Sequence, residues 1–405
     1  MNLAVVVIAY NRPKSLLNLL NSLARAEYDN EFSLTVIISI DKSEDDSVLK
    51  VAQNFAWNYG PKIIIPHEVN LGLKKHVLSC GDLTNSFDAV ILLEDDLIVS
   101  PYFFEYTKAA IKNFGQEDKI AGIALFEQRY NEIANCLFEP INDGFDNYFM
   151  QVPCSWGQIF SKKQWSQFRL FYSGFNSDFS QSKLPDFVLN WPSESSWKKY
   201  FYEYMVQNDL FFVYPRIGLS TNTGEIGTHF TERTGRFQAS LLLGSKIFNF
   251  SRLESSLSIY DAYQELSGLV YSCYLKDERD VDFDINGTKM LSSINSQYLI
   301  SSKRCLKPLS CFSMDFYPYE NNVLFQNGAQ ELLCNVIHFG LKKDFIEVNP
   351  MFNRVDYDVK RLFGADYMAE YDWMNTMEFK FFTLFILPLA KLRKRIFANK
   401  LSIKR

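Results

Sequence analysis

Residues 89–100 read AVILLEDDLIVS, and the first five of them form a continuous apolar run. Such a run is typical of a strand that is buried on both faces of a sheet. Three acids follow it directly, Glu94, Asp95 and Asp96, and the apolar pattern then resumes at Leu97. A buried acidic triplet needs a positive partner. The alternative is a solvated acidic turn between two strands.

Apolar runs of this kind alternate with helical patterns over the first half of the chain. The predicted strands are Leu3–Ala9, Leu34–Ile40, Lys62–Ile65, Ala89–Leu93 and Ile120–Phe126. The predicted helices between them begin after Pro13 and cover Asp46–Trp57, Leu73–Leu83 and Tyr102–Phe114. The alternation predicts an α/β fold with a mostly parallel sheet sandwiched by helices. Ligands bind such sheets beyond the carboxyl ends of the strands.

The domain organisation changes after about residue 145, where aromatic-rich, mixed patterns replace the alternation. We expect the sheet domain to cover residues 1–240. Residues 241–378 form a C-terminal region of unknown role, for which helix-like stretches at Leu253–Leu275 and Asn327–Phe339 predict a mainly helical extension. No internal repeat is visible.

Composition excludes several classes of protein. The chain has 405 residues, 47% of them hydrophobic, and a formal net charge of -5, which disfavours a nucleic-acid partner. Seven scattered cysteines without a CxxC pair are typical of reduced thiols, which indicates a cytoplasmic protein. The N-terminus lacks the features of a secretory signal, and no apolar run is long enough to cross a bilayer.

The last 27 residues, 379–405, form a basic tail with eight Lys or Arg and no acid. An apolar, aromatic segment at Phe379–Leu389 precedes the basic run KLRKRIF at residues 391–397. This pairing predicts peripheral contact with an anionic membrane, at the cytoplasmic face of the inner membrane. The alternative is a terminal helix that packs on its own domain.

Charged residues follow three of the predicted strands. Arg12 lies after the first strand, Asp41 after the second and the acidic triplet after the fourth. Because these strand ends meet at one edge of a parallel sheet, they offer one cation and several carboxylates to one crevice. Carboxylates suit a hard divalent cation such as Mn²⁺ or Mg²⁺, which completes its shell with water and substrate phosphates. We therefore predict a metal ion that holds a diphosphate.

The acidic triplet opens a longer motif. Residues 94–106, EDDLIVSPYFFEY, resemble the segment EDDLxxxPxFFEY of the inverting N-acetylglucosaminyltransferase that begins complex N-glycan branching, and of similar family 2-like bacterial sugar transferases. These enzymes are GT-A glycosyltransferases, and the resemblance covers roughly residues 1–240. It implies a GT-A type nucleotide-binding fold and a nucleotide-sugar donor.

The resemblance also implies roles for individual residues. Asp96 falls at the position of the metal ligand, and Glu94 and Asp95 fall close to the ribose and sugar of the donor. Asp41 falls where the family places an acid against the uracil, and Arg12 where an arginine contacts the nucleotide.

Two further segments resemble donor-binding segments of the family. In NLGLKKH, residues 70–76, a glycine turn leads into a helix whose N-terminus, with Lys75 and His76, favours phosphate. The alternatives are a solvated helix face for the lysines and a packed, hydrogen-bonded histidine. In residues 215–229 a strand leads to a glycine-containing loop in which His229 can donate to the diphosphate, although such segments are often plain turns.

The general base is the least defined part of the site. Similar enzymes place an aspartate one or two residues before a tryptophan that opens a helix, but here Trp197 is preceded by Ser195 and Ser196. The nearest acid, Glu194, is the predicted base, and Asp186 is the reserve candidate. Glu194 has the alternative role of a carboxylate at a helix N-terminus.

An aromatic segment follows the part of the chain in which predicted strands and helices alternate. Cys154-Ser155-Trp156-Gly157, with Phe160 and Trp165, parallels an aromatic segment of the family's cleft. Aromatic faces stack on sugar rings, but they are also common in protein cores.

These patterns together predict a metal-dependent, inverting glycosyltransferase. It would move a sugar, expected from a UDP-sugar, to a glycan or lipid-linked glycan acceptor in bacterial surface polysaccharide biosynthesis. One alternative is a non-catalytic glycan-binding or scaffold protein that lost its base. Another is a sugar-phosphate nucleotidyltransferase, which would need a Gly-rich loop after the first strand; residues 9–13, AYNRP, contain no glycine.

Overall fold

The computed structural model describes residues 1–28, 34–224, 235, 237–328 and 336–347. Strands in these residues are β1 (Leu3–Ala9), β2 (Thr35–Ile40), β3 (Lys62–Pro66), β4 (Ala89–Glu94), β5 (Leu97–Val99), β6 (Ile120–Ala124), β7 (Tyr130–Asn131), β8 (Cys136–Leu137), β9 (Asn147–Met150), β10 (Gln158–Ser161), β11 (Phe211–Pro215), β12 (Ser220–Asn222), β13 (Ile259–Tyr260), β14 (Val281–Asp284), β15 (Tyr298–Ser301), β16 (Ser310–Phe312) and β17 (Ile337–Leu341). Helices are α1 (Pro13–Ala24), α2 (Ser47–Asn54), α3 (Gly72–Gly81), α4 (Phe103–Phe114), α5 (Lys162–Gly174), α6 (Asp186–Leu189), α7 (Trp197–Gln207), α8 (Gly268–Leu275) and α9 (Glu320–Leu324).

Nine of these strands form one sheet in the order β13-β9-β11-β6-β10-β4-β1-β2-β3. β1 lies between β4 and β2 and pairs with both in parallel. β10 enters antiparallel between β4 and β6, and β9 is antiparallel to β11. The predicted α/β fold, with a mostly parallel sheet flanked by helices, is confirmed.

The sequence explains why this sheet forms. All seven residues of β1 and all six of β2 are buried, as expected for strands covered on both faces. Helix α1 begins at Pro13, which is tolerated in a first turn because its missing N–H has no intrahelical partner there. Leu16, Leu20 and Leu23 lie one helical turn apart and are fully buried, so they form the apolar stripe of α1.

The C-terminal region differs from the predicted mainly helical extension. Its described part contains a second sheet, in the order β14-β15-β17-β16. The helix predicted over Leu253–Leu275 begins only at Gly268, because β13 pairs with β9 in the main sheet and Ser267 caps the helix by accepting from the Leu269 amide. Ile337–Phe339, predicted as the end of a helix, lie in β17. Short apolar runs fit a strand and a buried helix equally well, and here cross-strand pairing decides.

Buried ion pairs connect this second sheet to the chain around it. Lys303 Nζ lies 2.9 Å from Asp284 Oδ2, and both side chains are almost fully buried. Lys289 Nζ lies 2.5 Å from Asp282 on β14 and 2.5 Å from Asp261, which directly follows β13 of the main sheet. Because each ammonium is paired, the desolvation of these lysines is offset, and the pairs link the second sheet to the first.

The predicted domain limit at residue 240 and the predicted tail concern different parts of the chain. The described residues lie in one compact unit, Met1–Val348, so the limit at residue 240 stays a prediction. The predicted membrane-contacting tail, 379–405, lies outside the described residues. Among the helices of the described ranges, none has the length and apolarity that a bilayer crossing requires.

Candidate functional site

The acidic triplet lies at the carboxyl ends of two central strands. Glu94 ends β4 and is in register with Ile8 of β1, and the Asp95 amide donates to the Ile8 carbonyl at 3.1 Å. The chain then turns at Asp95 and Asp96 and enters β5. This is the edge of the sheet at which parallel α/β folds bind ligands.

Arg12 joins two of the three acids. Its Nη1 donates to Asp96 Oδ2 at 2.9 Å, and its Nη2 pairs with Asp95 Oδ1. The Tyr10 amide adds a hydrogen bond to Asp95 Oδ2 at 3.3 Å. Burial alone would lower the pKa of Arg12, but the attraction of Asp95 and Asp96 outweighs it and raises that pKa. The structure therefore brings Arg12 and the triplet into one cluster.

The cluster carries more negative charge than Arg12 can balance. Burial, together with the charges of Asp96 and Asp95, raises the pKa of Glu94 to about 8. Burial also raises the pKa of Asp95 to about 6, although Arg12 opposes this effect. Because these carboxylates repel one another when they are ionised, a bound cation would stabilise their charged forms.

Asp96 has one oxygen that fits such a cation. Arg12 occupies Oδ2, whereas Oδ1 is buried and has no hydrogen-bond partner among the described residues. An unpaired carboxylate oxygen costs free energy unless a ligand satisfies it. Within the described ranges, no three His, Cys, Asp or Glu side chains are arranged to hold a metal. Mg²⁺ and Mn²⁺ sites of nucleotide enzymes use one or two carboxylates together with water and phosphate oxygens, which fits this arrangement.

Asp41 lies at the end of β2, as the prediction required, but its carboxylate is already occupied. Its Oδ1 accepts from the amides of Lys42 at 2.9 Å and Leu71 at 2.8 Å, and its Oδ2 accepts from the Gly72 amide at 3.0 Å. Leu71 directly precedes helix α3 and Gly72 is its first residue, and the first amides of a helix have no intrahelical acceptor. Asp41 therefore acts as a distant cap that fixes the start of α3 against the sheet.

His76 is buried rather than exposed at the helix N-terminus. Its Nε2 lies 2.8 Å from Ser39 Oγ on β2, and the same hydroxyl lies 3.0 Å from His67 Nε2. Burial lowers the pKa of His76 to about 4, opposed by Asp41 and reinforced by His67. Cys80 also faces Ser39, and burial raises the pKa of its thiol to about 12, so it stays neutral. This is the packed, hydrogen-bonded histidine that was the alternative to a phosphate contact.

The low pKa of His76 predicts a loss of stability in acid. The unfolded histidine titrates near pH 6.5 and the folded one near 4, so protons favour the unfolded state between these values and have no effect above them. The free energy of unfolding should therefore fall by up to about 3 kcal/mol from this residue as the pH drops from 6.5 to 4. Urea unfolding at several pH values measures it.

The variant His76→Gln removes the titrating group, and its free energy of unfolding should depend less on pH than that of the unchanged protein in this window. His67→Gln is the matched control, since it leaves the burial of His76 in place and should retain most of the pH dependence. Equal acid sensitivity of His76→Gln and the unchanged protein would contradict the prediction.

The two other residues predicted to contact the donor, Lys75 and His229, differ in what the structure shows of them. Lys75 is exposed on α3, which leaves its ammonium accessible to a ligand. Lys74, beside it, is engaged: its Nζ donates to the Ser193 carbonyl at 2.7 Å and lies over the Tyr200 ring. His229 lies outside the described residues.

Both candidate bases are exposed, Glu194 just before α7 and Asp186 at the start of α6. Glu194 is two residues before Ser196, whose hydroxyl accepts from the Lys199 amide at 3.2 Å and caps the helix. Ser196 thus fills the capping role that was the alternative for Glu194. Asp186 is exposed in the first turn of α6.

Lys199 holds the loop that carries Glu194. Its buried ammonium donates to the carbonyls of Leu189 at 2.7 Å and Trp191 at 3.0 Å and to Ser193 Oγ at 3.2 Å. Burial lowers the pKa of Lys199, which the charge of Glu194 partly opposes. Because three hydrogen bonds converge on one cation, the position of the loop is defined by α7.

The sequence prediction missed Lys198. Its Nζ lies 5.8 Å from the ring centre of Trp156 and 5.6 Å from that of Trp191. Its charge also lowers the pKa of Glu94. A single lysine in a helical pattern gives no local signal for such a position, which depends on where α7 packs.

The aromatic segment divides between core and cleft. Phe160 and Trp165 are buried in the core. Trp156 is half-buried, and Gly157 after it has φ +91, a conformation that favours glycine. A Cβ atom at Gly157 would lie 2.7 Å from Ser220 Oγ, which itself donates to the Trp156 carbonyl. Gly157 therefore allows Trp156 to approach β12.

One protein family matches part of the chain. Residues 4–154 match the family described as glycosyl transferase family 2, and they include β1, β4, Arg12 and the acidic triplet. The match covers less than half of the 405 residues. It shows a likeness of this segment to the family and does not distinguish the N-acetylglucosaminyltransferase-like group. No curated protein matches the sequence of the chain.

Several solved structures resemble the fold weakly. S. aureus TarS 1-349 is 15% identical, with a TM-score of 0.37 over 55% of this chain and 61% of that one. The same protein in complex with UDP-GlcNAc is 16% identical, with a TM-score of 0.39 over 56% and 60% of the two chains. The mannosyltransferase PcManGT from Pyrobaculum calidifontis, in complex with GDP-Man and Mn²⁺, is 12% identical, with a TM-score of 0.31 over 44% and 48%. The match thus spans less than two thirds of each of these proteins.

Proposed function

We propose that the chain is a metal-dependent, inverting glycosyltransferase of the GT-A type that uses a nucleotide-sugar donor. The observation that carries the proposal is the cluster at the ends of β1 and β4. There Arg12 pairs with Asp95 and Asp96 while Asp96 Oδ1 stays buried and unpaired. A structural ion pair alone gives no reason for an unsatisfied oxygen at this edge. The family match of residues 4–154 supports the same class.

Asp96 is the proposed protein ligand of Mn²⁺ or Mg²⁺, through Oδ1. Bound there, the ion would neutralise charge that develops on the leaving diphosphate. Arg12 orients Asp96 through the 2.9 Å hydrogen bond and presents its remaining N–H groups to the nucleotide. Glu94 and Asp95 would accept hydrogen bonds from hydroxyl groups of the ribose and sugar, which fits their burial beside Asp96.

The other proposed contacts with the donor are inferred from where the residues lie in the chain and in the fold. Asp41 holds the start of α3, so we propose that it shapes the uracil pocket through the backbone of Leu71 and Gly72 as well as through its own carboxylate. Lys75 and His229 are the proposed contacts to the diphosphate. His76, also predicted there, supports α3 from the side of β2.

Glu194 is the proposed general base, with Asp186 in reserve. Its carboxylate would take the proton of the acceptor hydroxyl as that oxygen forms a bond to the anomeric carbon. The bond from that carbon to the nucleoside diphosphate breaks on the opposite face, which inverts the configuration. Its exposure would suit an acceptor that enters from solvent.

The acceptor and the location of the reaction are inferred more broadly. We propose a glycan or lipid-linked glycan acceptor and a role in bacterial surface polysaccharide biosynthesis. A lipid-linked acceptor would agree with a basic tail that contacts the cytoplasmic face of the inner membrane. For the donor we propose a UDP-sugar, such as the UDP-GlcNAc in the TarS complex.

A panel of nucleotide sugars tests the proposal. Thermal unfolding of the full chain is measured with Mn²⁺ and UDP-, GDP-, dTDP- or CMP-sugars, and again with a chelator. A donor at 100 times its Kd should raise the free energy of unfolding by about 2.7 kcal/mol, because it binds only the folded state. The same mixtures are then assayed for release of the nucleoside diphosphate.

The outcomes separate the candidate functions. Metal-dependent stabilisation together with diphosphate release supports the transferase. Stabilisation by a nucleotide sugar, with no release of the nucleoside diphosphate whichever acceptor is added, points to the binding or scaffold protein. Lack of stabilisation by every nucleotide sugar contradicts the proposal.

A further inference from the structure

The short sheet β5–β12 continues for one residue pair beyond its strands. Ser220, Thr221 and Asn222 lie opposite Val99, Ile98 and Leu97 in antiparallel register. The next pair in this register is Thr223 and Asp96, and the Thr223 amide donates to the Asp96 carbonyl at 2.9 Å. Side chains of directly opposed residues share one face of an antiparallel pair. The Thr223 side chain thus emerges beside that of Asp96.

Both side chains have a buried oxygen with no partner. Asp96 Oδ1 and Thr223 Oγ1 each lack a hydrogen bond to any described residue. The groups around Thr223 are otherwise satisfied: its carbonyl accepts from Gln238 Nε2 at 3.2 Å, and Asn222 Oδ1 accepts from the Gly224 amide at 2.7 Å. Unsatisfied buried oxygens are uncommon in proteins, and two in register at one strand end call for a shared ligand.

We propose that the Thr223 hydroxyl is a second oxygen contact of the divalent cation that Asp96 holds. This rests on the proposed function, in which a Mn²⁺ or Mg²⁺ ion binds at Asp96. Hard cations take hydroxyl as well as carboxylate oxygens, and threonine hydroxyls bind Mg²⁺ in other nucleotide enzymes. The contact is to the ion or to a water in its shell.

The pairing gives the contact a structural purpose. Asp96 follows β4 and Thr223 follows β12, so an ion held by both would connect the sheet edge to the segment that leads towards Gly224. Gly224 has φ +66, so the chain turns directly after Thr223. Metal binding would therefore fix the position of this turn.

The variant Thr223→Val tests the inference, because valine keeps the shape of threonine and removes the hydroxyl. Mn²⁺ binding to the full chain is measured by electron paramagnetic resonance without nucleotide, and thermal unfolding is measured without metal. We expect the Kd for Mn²⁺ to rise about tenfold, which is 1.4 kcal/mol. The metal-free Tm should equal or exceed that of the unchanged protein, since the variant loses an unsatisfied buried hydroxyl.

Two further variants serve as controls. Thr223→Ser keeps a hydroxyl and should keep the Mn²⁺ affinity within about twofold. Thr221→Val is the matched control on the same strand, because the Thr221 hydroxyl accepts from the Ala239 amide at 2.9 Å. It should lower the metal-free Tm and leave Mn²⁺ binding unchanged.

Unchanged Mn²⁺ affinity in Thr223→Val, or equal weakening in Thr223→Ser, would overturn the inference. The inference would also be overturned if the unchanged protein bound neither Mn²⁺ directly nor Mg²⁺ in competition with Mn²⁺. Because Mn²⁺ binding is measured without a nucleotide sugar, a failure of every donor in the panel would overturn the proposed function alone.

Discussion

Replacing Asp96 with asparagine should lower metal-stimulated donor turnover by at least about 10³-fold. Asparagine keeps the shape of the side chain but removes the charge that Oδ1 offers to a divalent cation. Stabilisation of the leaving diphosphate by a bound metal contributes several kcal/mol, and each 1.36 kcal/mol changes the rate about tenfold. Turnover is measured as release of the nucleoside diphosphate with Mn²⁺. The release measured in the presence of a chelator is subtracted from it.

The fold of the Asp96→Asn variant should remain intact. Asp96 is 16% exposed and β4 does not depend on its carboxylate, so circular dichroism should match that of the unchanged protein. Asp118→Asn is the control, because Asp118 is a largely exposed surface acid paired with Lys163. It should keep full turnover. Full activity of Asp96→Asn with a folded protein would show that the metal assignment is wrong.

Replacing Arg12 with methionine should produce the largest loss of stability among single changes at the site. Arg12 is 30% exposed and pairs with Asp95, which is 2% exposed, and with Asp96. Without the guanidinium, Asp95 must stay buried as an unpaired charge or take up a proton. Breaking a buried pair in this way costs about 3 to 5 kcal/mol, and the partial exposure of Arg12 places the expected loss near 3 kcal/mol. Chemical denaturation at pH 7 measures it.

Two comparisons make this result specific. Arg12→Lys keeps one charge but cannot reach both carboxylates with a planar fork, so it should recover only part of the lost stability. Arg129→Met removes an arginine that is 55% exposed and lies 3.8 Å from Glu127, and it should change stability by less than about 1 kcal/mol. If Arg12→Met were as stable as Arg129→Met, the cluster would not be held by Arg12.

The first strands of the main sheet were predictable because their signals are local. The apolar runs of β1, β2 and β4 are continuous in sequence, and each predicted boundary there lies within one residue of the observed strand. The acids after β4 were also visible, since they interrupt such a run. In the described residues after 240 the same reasoning missed strands such as β13 and β17, because they are short and are defined by distant partners.

Parts of the candidate site could not be predicted for the same reason. Asp41 was placed correctly at a strand end, but its contacts with the amides of Leu71 and Gly72 depend on how α3 packs. The neighbours of Lys198 are two tryptophans from other segments. Neither relation leaves a pattern in the local sequence.

The sequence alone determined which residues can form a buried parallel strand and which charged groups must follow it, because side-chain hydrophobicity and spacing are properties of neighbouring residues. The tertiary structure decided which of those groups meet. Arg12 and Asp96 are 84 positions apart, and Thr223 follows a strand that is later still. Their proximity depends on the order of strands in the sheet, which long-range pairing and packing choose among many orders that the same local patterns allow.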